Sequence, residues 1–164
     1  MSSVSFLSNI IDLHVVNEDY FPVKAVYDPY VGSNEYVGFY FGDTDLLEFS
    51  ADRETGSIKK ITLVLCNHYE VLDTDFQSAT VCESGSISLD LPQHNECDSF
   101  IVRVYRNAVD ILLSQTTVQR IVKCGQVLFG LSDDNELVSV TFIEMSETDV
   151  AHTIEELNQG MTND

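Results

Sequence analysis

Residues 46–66 read LLEFSADRETGSIKKITLVLC, and residues 127–145 read VLFGLSDDNELVSVTFIEM. Each runs a short apolar strand up to an aromatic, Phe49 or Phe129, then an acidic turn, then a longer second strand. Within the second strands, Ile58-x-x-Ile61-Thr62-Leu63 matches Leu137-x-x-Val140-Thr141-Phe142, with one residue deleted in the turn. Gly56 and Asn135 are residue types that tolerate the positive φ of tight hairpins. Both stretches therefore read as β-hairpins built alike. An ancient duplication and convergent hairpin chemistry explain the likeness equally well.

Outward from these hairpins the dominant signal is again strand. Ser86-Ile87-Ser88-Leu89-Asp90-Leu91 alternates, with Ile87, Leu89 and Leu91 on one face. Asp98 to Tyr105 turns Phe100, Val102 and Val104 inward and Arg103 outward; Glu35 to Phe41 sets Val37, Phe39 and Phe41 against Tyr36, Gly38 and Tyr40. Val23 to Asp28 is a weaker strand, bounded by Pro22 and Pro29. Tyr20-Phe21-Pro22 and Tyr27-Asp28-Pro29-Tyr30 read as rims or covers of an open sheet edge. Residues 107–122 fit strand and helix equally.

Helical signals are few. Ser146-Glu147-Thr148-Asp149 has the form of a capping box, Val150, Ile154 and Leu157 follow as a stripe, and Gly160 marks a stop. Val4, Leu7 and Ile11 give a second, N-terminal helix over Val4 to Ile11. The expectation is a mainly β fold with a few helices (α+β): a curved antiparallel sheet or half-barrel of hairpins, with short N-terminal and C-terminal helices packed on it. One domain spans 1–164, with a frayed tail from about 159.

The charge narrows the function. Twenty-seven Asp and Glu face eight Lys and Arg, a net −19 in 164 residues. The cations are Lys24, Lys59, Lys60, Lys123, Arg53, Arg103, Arg106 and Arg120, so Asn67 to Val102 and everything after Lys123 carry none. Phosphate backbones and anionic membranes need Lys and Arg, so no direct nucleic-acid or membrane partner is expected. Such self-repulsion fits a cationic protein partner steered in by the field. Met1 to Val16 lacks a cationic leader, no segment approaches a span of ~20 apolar residues, and Cys66, Cys82, Cys97 and Cys124 read as reduced thiols. The expected compartment is the cytoplasm.

Catalytic chemistry finds no foothold. The sequence holds no nucleophile elbow, phosphate loop, dinucleotide fingerprint or paired-histidine zinc helix. Cys66-Asn67-His68 and His94-Asn95-Glu96-Cys97 fall short of the two clips of a structural zinc site. Acid pairs such as Asp73/Asp75, Asp133/Asp134 and Glu155/Glu156 follow from composition, and Asp43-Thr44-Asp45 lacks the Gly and Glu of a calcium loop. The expectation is no enzyme, no metal and no cofactor.

What remains is a binder. Tyr20, Tyr30, Tyr36 and Tyr40 offer aromatic anchors, and Asp43, Asp45 and Glu48 place negative charge beside them. Asp73, Asp75, Glu83, Asp90, Glu96 and Asp98 form a second acidic candidate in the tract from Glu70 to Asp98. A sheet edge could also accept a partner strand by β-augmentation.

An acidic, strand-rich chain with a capped terminal helix, no catalytic motif and the hairpin FSADRETGSIKKITLVL at 49–65 resembles the bacterial immunity proteins. It is similar in particular to the cytoplasmic immunity proteins of contact-dependent growth inhibition systems. That resemblance implies a 1:1 complex with a cognate basic toxin domain, often a DNase or RNase, whose active site or substrate groove is covered. Acidic groups would stand where nucleic-acid phosphates bind, and a toxin hairpin would extend the sheet. An acidic adaptor or DNA-mimic regulator of a basic host protein is the alternative; a small Cys/His metal-dependent enzyme is a second.

Overall fold

Alternation and β-branched content build fifteen strands and one helix among the described residues, which in the computed structural model are 4–7, 11–27, 34–78 and 82–162. The strands are β1 (Ser5–Leu7), β2 (Leu13–Glu18), β3 (Phe21–Tyr27), β4 (Asn34–Phe41), β5 (Asp45–Asp52), β6 (Ile58–Leu65), β7 (Tyr69–Val71) and β8 (Glu83–Ser84). There follow β9 (Ser86–Ser88), β10 (His94–Glu96), β11 (Ile101–Val104), β12 (Val109–Leu112), β13 (Arg120–Cys124), β14 (Val127–Leu131), β15 (Leu137–Phe142) and α1 (Glu147–Thr162). The mainly β, α+β class is as expected.

Six strands form one sheet in the order β10-β4-β5-β6-β3-β2, and seven form another in the order β7-β11-β12-β15-β14-β13-β8. Their inner faces feed one core, including Phe39, Phe49 and Leu63 from the first and Phe129, Val140 and Phe142 from the second. Each of these side chains is at most 1% exposed, and fully burying a large apolar side chain contributes roughly 1.5–3 kcal/mol. The helix α1 packs on β3 and β2 and adds Val150 and Leu157 to the same core.

The two sheets are built as copies of one five-stranded unit. In each, a hairpin (β2-β3; β11-β12) precedes a meander (β4-β5-β6; β13-β14-β15) whose last strand pairs with the hairpin's second strand. Both units carry the same bulge: the register shifts between Ser50 and Ala51 in one and between Gly130 and Leu131 in the other. The hairpin turns agree in detail. Asp52 N–H donates to Ser57 O (2.8 Å) and Ser132 N–H to Glu136 O (2.9 Å), while Gly56 (φ 72°) and Asn135 (φ 59°) take the left-handed position. Asp52 Oδ1 accepts the Glu54 and Thr55 N–H groups, as Ser132 Oγ accepts those of Asp134 and Glu136. The likeness that the sequence shows in one hairpin extends to ten strands.

Three local expectations are corrected. The N-terminal helix is absent from the described part of Val4 to Ile11: Ser5–Leu7 is a strand paired with β9, and Val4 N–H bonds to Asn135 O. The apolar spacing fits either form, and β9 supplies the backbone partners that decide. Phe21 and Pro22 do not rim an edge but open β3, between β6 and β2. Pro22 is tolerated because the β6 ladder starts at Val23 and the β2 ladder is irregular between Val16 and Glu18. The helix runs through Gly160 to Thr162 rather than stopping there. Its start is as expected, with Ser146 Oγ accepting Asp149 N–H and Asp149 Oδ2 accepting Ser146 N–H. Residues 28–30, including Asp28 and Pro29, lie outside the described residues.

The sheets are joined by the turn between β13 and β14. Gln126 N–H donates to Leu13 O (2.7 Å), and Gln126 Oε1 accepts Val15 N–H (2.8 Å), so the turn occupies the outer edge of β2. Gly125 (φ 59°) lies so close that an added Cβ would sit 2.1 Å from Leu13 O. Gly42, first in the β4–β5 turn with φ 58°, has nothing within 4 Å of that position. In urea unfolding, Gly42→Ala should therefore cost only the left-handed penalty of ~1–2 kcal/mol. Gly125→Ala should cost distinctly more, and Gln126→Ala about 1–3 kcal/mol for the polar groups it orphans.

Candidate partner-binding face

The outer face of the six-stranded sheet gathers four of the expected binding residues. Along β4, Tyr36, Gly38 and Tyr40 point away from the core, and β5 sets Glu48 directly across from Gly38. β10 lies parallel to β4 with His94 beside Gly38 and Glu96 beside Tyr40, which brings both side chains onto the same face. The His94 and Tyr40 rings stack at 4.1 Å and 13°, and His94 Nε2 is 2.7 Å from Glu96 Oε1. Gly38 makes the stack flat: a Cβ there would come within 2.5 Å of the Tyr40 ring. Tyr36 is 49% exposed, and α1 packs on β3 and β2, away from this edge. Flat rings flanked by Glu48 and Glu96 suit a guanidinium or ammonium group, which stacks on a π-face while bonding a carboxylate.

The other expected residues are dispersed. Tyr20, 85% exposed, and Asp43 share a cleft of about 230 Å³ beside α1, where Tyr20 N–H also bonds to Glu156. Asp45 is buried and spent internally: its carboxylate accepts Asn67 N–H (2.8 Å) and the Thr44 hydroxyl (2.9 Å). It holds a turn and is not available to a partner. Tyr30 lies outside the described residues.

The tract from Glu70 to Asp98 is not one patch, because its short strands go to different sheets. β7 lies on β11, β8 on β13, β9 on β1 and β10 on β4. Asp73 pairs with Arg106 (3.0 Å), while Asp75, Asp90 and Asp98 are exposed. Glu83 pairs with Arg120, whose hydrogen bond holds the Glu83 carboxyl below the usual carboxylate range.

Every cation is engaged within the molecule. Lys24 pairs with Glu18, Arg103 with Glu70 (3.9 Å) and Lys123 with Glu144 (3.6 Å). Lys59 sits 4.8 Å from the Tyr27 ring centroid and Lys60 5.9 Å from that of Tyr36, while Arg53 Nε donates to Asn34 O (3.4 Å). These contacts are weak singly, yet they place the few positive groups beside acids, rings or, for Arg53, a backbone carbonyl. Exposed acids such as Asp43, Asp75, Asp90 and Asp98 then set the outward field.

Two side chains escaped the sequence reading. The spacing of His94 and Cys97 suggests metal ligands, whereas the partner of His94 is the Tyr40 ring; the parallel strand that brings them together leaves no sequence signal. Asp110 is the polar member of Val109-Asp110-Ile111-Leu112, in a stretch that fits two secondary structures. Compared with known proteins, the chain matches no family model and no curated sequence.

The Cys and His residues do not converge as the spacing allowed. Strand alternation turns His94 outward, while Cys97 lines a cleft with Phe39 and Leu137. The Cys66 Sγ–H donates to His68 O (3.2 Å), and no group of three His, Cys, Asp or Glu able to hold a metal occurs among the described residues. Burial, with Asp45 beside Cys66 and with Asp98 and Glu96 beside Cys97, pushes both thiols up to about 12. Cys124, bonded to Ile11 O, is raised too, chiefly by burial. Their reactive thiolate is then on the order of 10⁻⁴ of the total for Cys66 and Cys97 at pH 8. Iodoacetamide treatment of the native protein, followed by peptide mass mapping, should leave these two unmodified until a denaturant is added.

Proposed function

We propose that the chain is a cytoplasmic binding protein that captures a cationic protein domain, in the manner of an immunity protein neutralising a basic toxin. The observation that carries this is electrostatic: a net charge of −19 whose eight cations are all engaged internally, beside an aromatic face flanked by Glu48 and Glu96. The resemblance to contact-dependent growth inhibition immunity proteins adds the expected partner class, a nuclease domain whose phosphate-binding groove would accept those carboxylates. No helix among the described residues is long and apolar enough to cross a membrane, which fits a partner met in solution.

The mode of contact favoured is the sheet face over its edge. β4, β11 and β13 are already covered by β10, β7 and β8, and β2 by the Gln126 turn, so among the described residues an added strand finds two- or three-residue strands to extend, those of the β1-β9 pair included. Tyr40 with its stacked His94 is the anchor, and the field sets the association rate.

The test is co-purification with the product of the neighbouring gene, followed by a nuclease assay with and without this chain. A stable 1:1 complex and loss of nuclease activity are expected. Tyr40→Ala should weaken the complex by about 2 kcal/mol through faster dissociation. Raising ionic strength from about 0.01 to 0.15 M should slow association markedly, as should Glu48→Gln with Glu96→Gln. An association rate indifferent to salt and to these charges would remove the reading; capture of a DNA-binding host protein instead would favour the adaptor alternative.

A further inference from the structure

We propose that a groove on the outer face of the seven-stranded sheet is a socket for one lysine or arginine side chain of the cationic partner, with Asp110 as its counter-charge; this rests on the reading of the chain as a captor of such a partner. The groove, open to solvent on one side, has a volume of about 460 Å³. Leu112, Val118, Ile121 and Leu128 give it apolar walls, and Asp110 is its ionisable group. At Gly130 an added Cβ would lie 2.3 Å from Ser139 Oγ and 3.1 Å from Val118, so the missing side chain lets these two pack closely against β14. Apolar walls around one carboxylate, with Ser78, Gln119, Ser139 and Thr141 as neutral polar neighbours, fit a side chain with an alkyl stem and a cationic head.

Asp110 is held ready for such a head. The Thr141 hydroxyl donates to its Oδ1 (2.8 Å), which fixes the carboxylate, and burial pushes its carboxyl above the ordinary range. Arg103 is its cross-strand neighbour and lowers it through space, but that guanidinium also reaches Glu70 at 3.9 Å. A charge so placed costs stability unless something compensates it.

The other unit shows that the fold does not demand this cost. Matching registers put Lys24 where Asp110 stands, Thr62 where Thr141 stands, Glu48 at Leu128 and Ser50 at Gly130. The same backbone position therefore accepts a lysine paired with Glu18. A half-buried acid and apolar walls are specific to the second unit, and together they make a cation site.

The experiment is a methyl-detected NMR titration of the full chain with n-butylammonium and n-butylguanidinium, and with n-butanol as the neutral match. The two cations should saturate, shifting the methyl signals of Leu112, Val118, Ile121 and Leu128, and n-butanol should not. Asp110→Asn should weaken cation binding about ten-fold or more while raising Tm at pH 7, because a carboxyl with a raised pKa destabilises the fold above that pKa and not below the unfolded value. Val118→Lys, at the half-exposed rim, should fill the socket with a tethered ammonium and abolish probe binding; the exposed-charge control Glu155→Gln should change nothing. In the captured complex, Asp110→Asn should speed dissociation about ten-fold. Equal binding of butanol, or undiminished cation binding in Asp110→Asn, overturns the socket. Because the probe titration needs no partner, its failure is distinct from a failure to capture any cationic protein.

Discussion

The docking of the β13–β14 turn on the backbone of Leu13 to Val15 makes the two sheets one body. Gln126 acts there as a single residue of an extra strand, donating its N–H to Leu13 O and accepting Val15 N–H on its side-chain oxygen. Its Nε2 then donates to Ile143 O and Glu144 O, and its own carbonyl accepts Ile143 N–H (2.8 Å). One side chain thus ties the first strand of one unit to the last strand of the other, at the point where the chain leaves for α1. The contact needs the short approach that Gly125 permits. It also closes the outer margin of β2, which would otherwise present a row of unpaired peptide groups.

The remaining margins are closed by the segment between the units. β7 and β8 cover the two outermost strands of the second unit, and β10 covers the meander edge of the first, all three running parallel to the strands they protect. These covers carry Glu70, Glu83 and Glu96, and a charged, very short edge strand resists further pairing. Two of these acids are also paired internally, Glu70 with Arg103 and Glu83 with Arg120. The Arg106–Asp73 and Arg120–Glu83 pairs show that part of this acidity is structural.

The strands were legible wherever a local pattern carried them. The two hairpins, the inward faces of Val37-Phe39 and Phe100-Val102-Val104, and the capped start of α1 follow from alternation, turn residues and capping chemistry. What was not legible depends on partners distant in sequence. Ser5–Leu7 is extended because β9 pairs with it, although its apolar spacing equally fits a helix. Phe41 continues the inward alternation of β4 yet is 42% exposed, since it lies at the strand end beyond the core. Asp45 reads as a surface acid among acids, and only the folded chain brings Asn67 N–H to it. For the same reason His94 could not be assigned to Tyr40: a parallel pair of strands joined through some fifty intervening residues has no local signature.

The pairing of like units separates what the fold requires from what it merely allows. Positions that agree between the units, such as Phe49 with Phe129 and Thr62 with Thr141, sit in the core or hold a cross-strand contact. Inner-face positions that differ exchange one apolar residue for another, as at Ala25 and Ile111 or Phe39 and Cys124, whereas outer-face positions differ in chemical character. Tyr36 faces Ile121 in this comparison, Gly38 faces Lys123, and Glu48 faces Leu128. One unit has used its outer face for exposed rings and carboxylates, the other for an apolar groove around a single acid. Since the same backbone supports both, neither set is needed to fold a sheet of this topology. The shared residues are therefore those this topology needs, and the divergent outer faces are free of that demand.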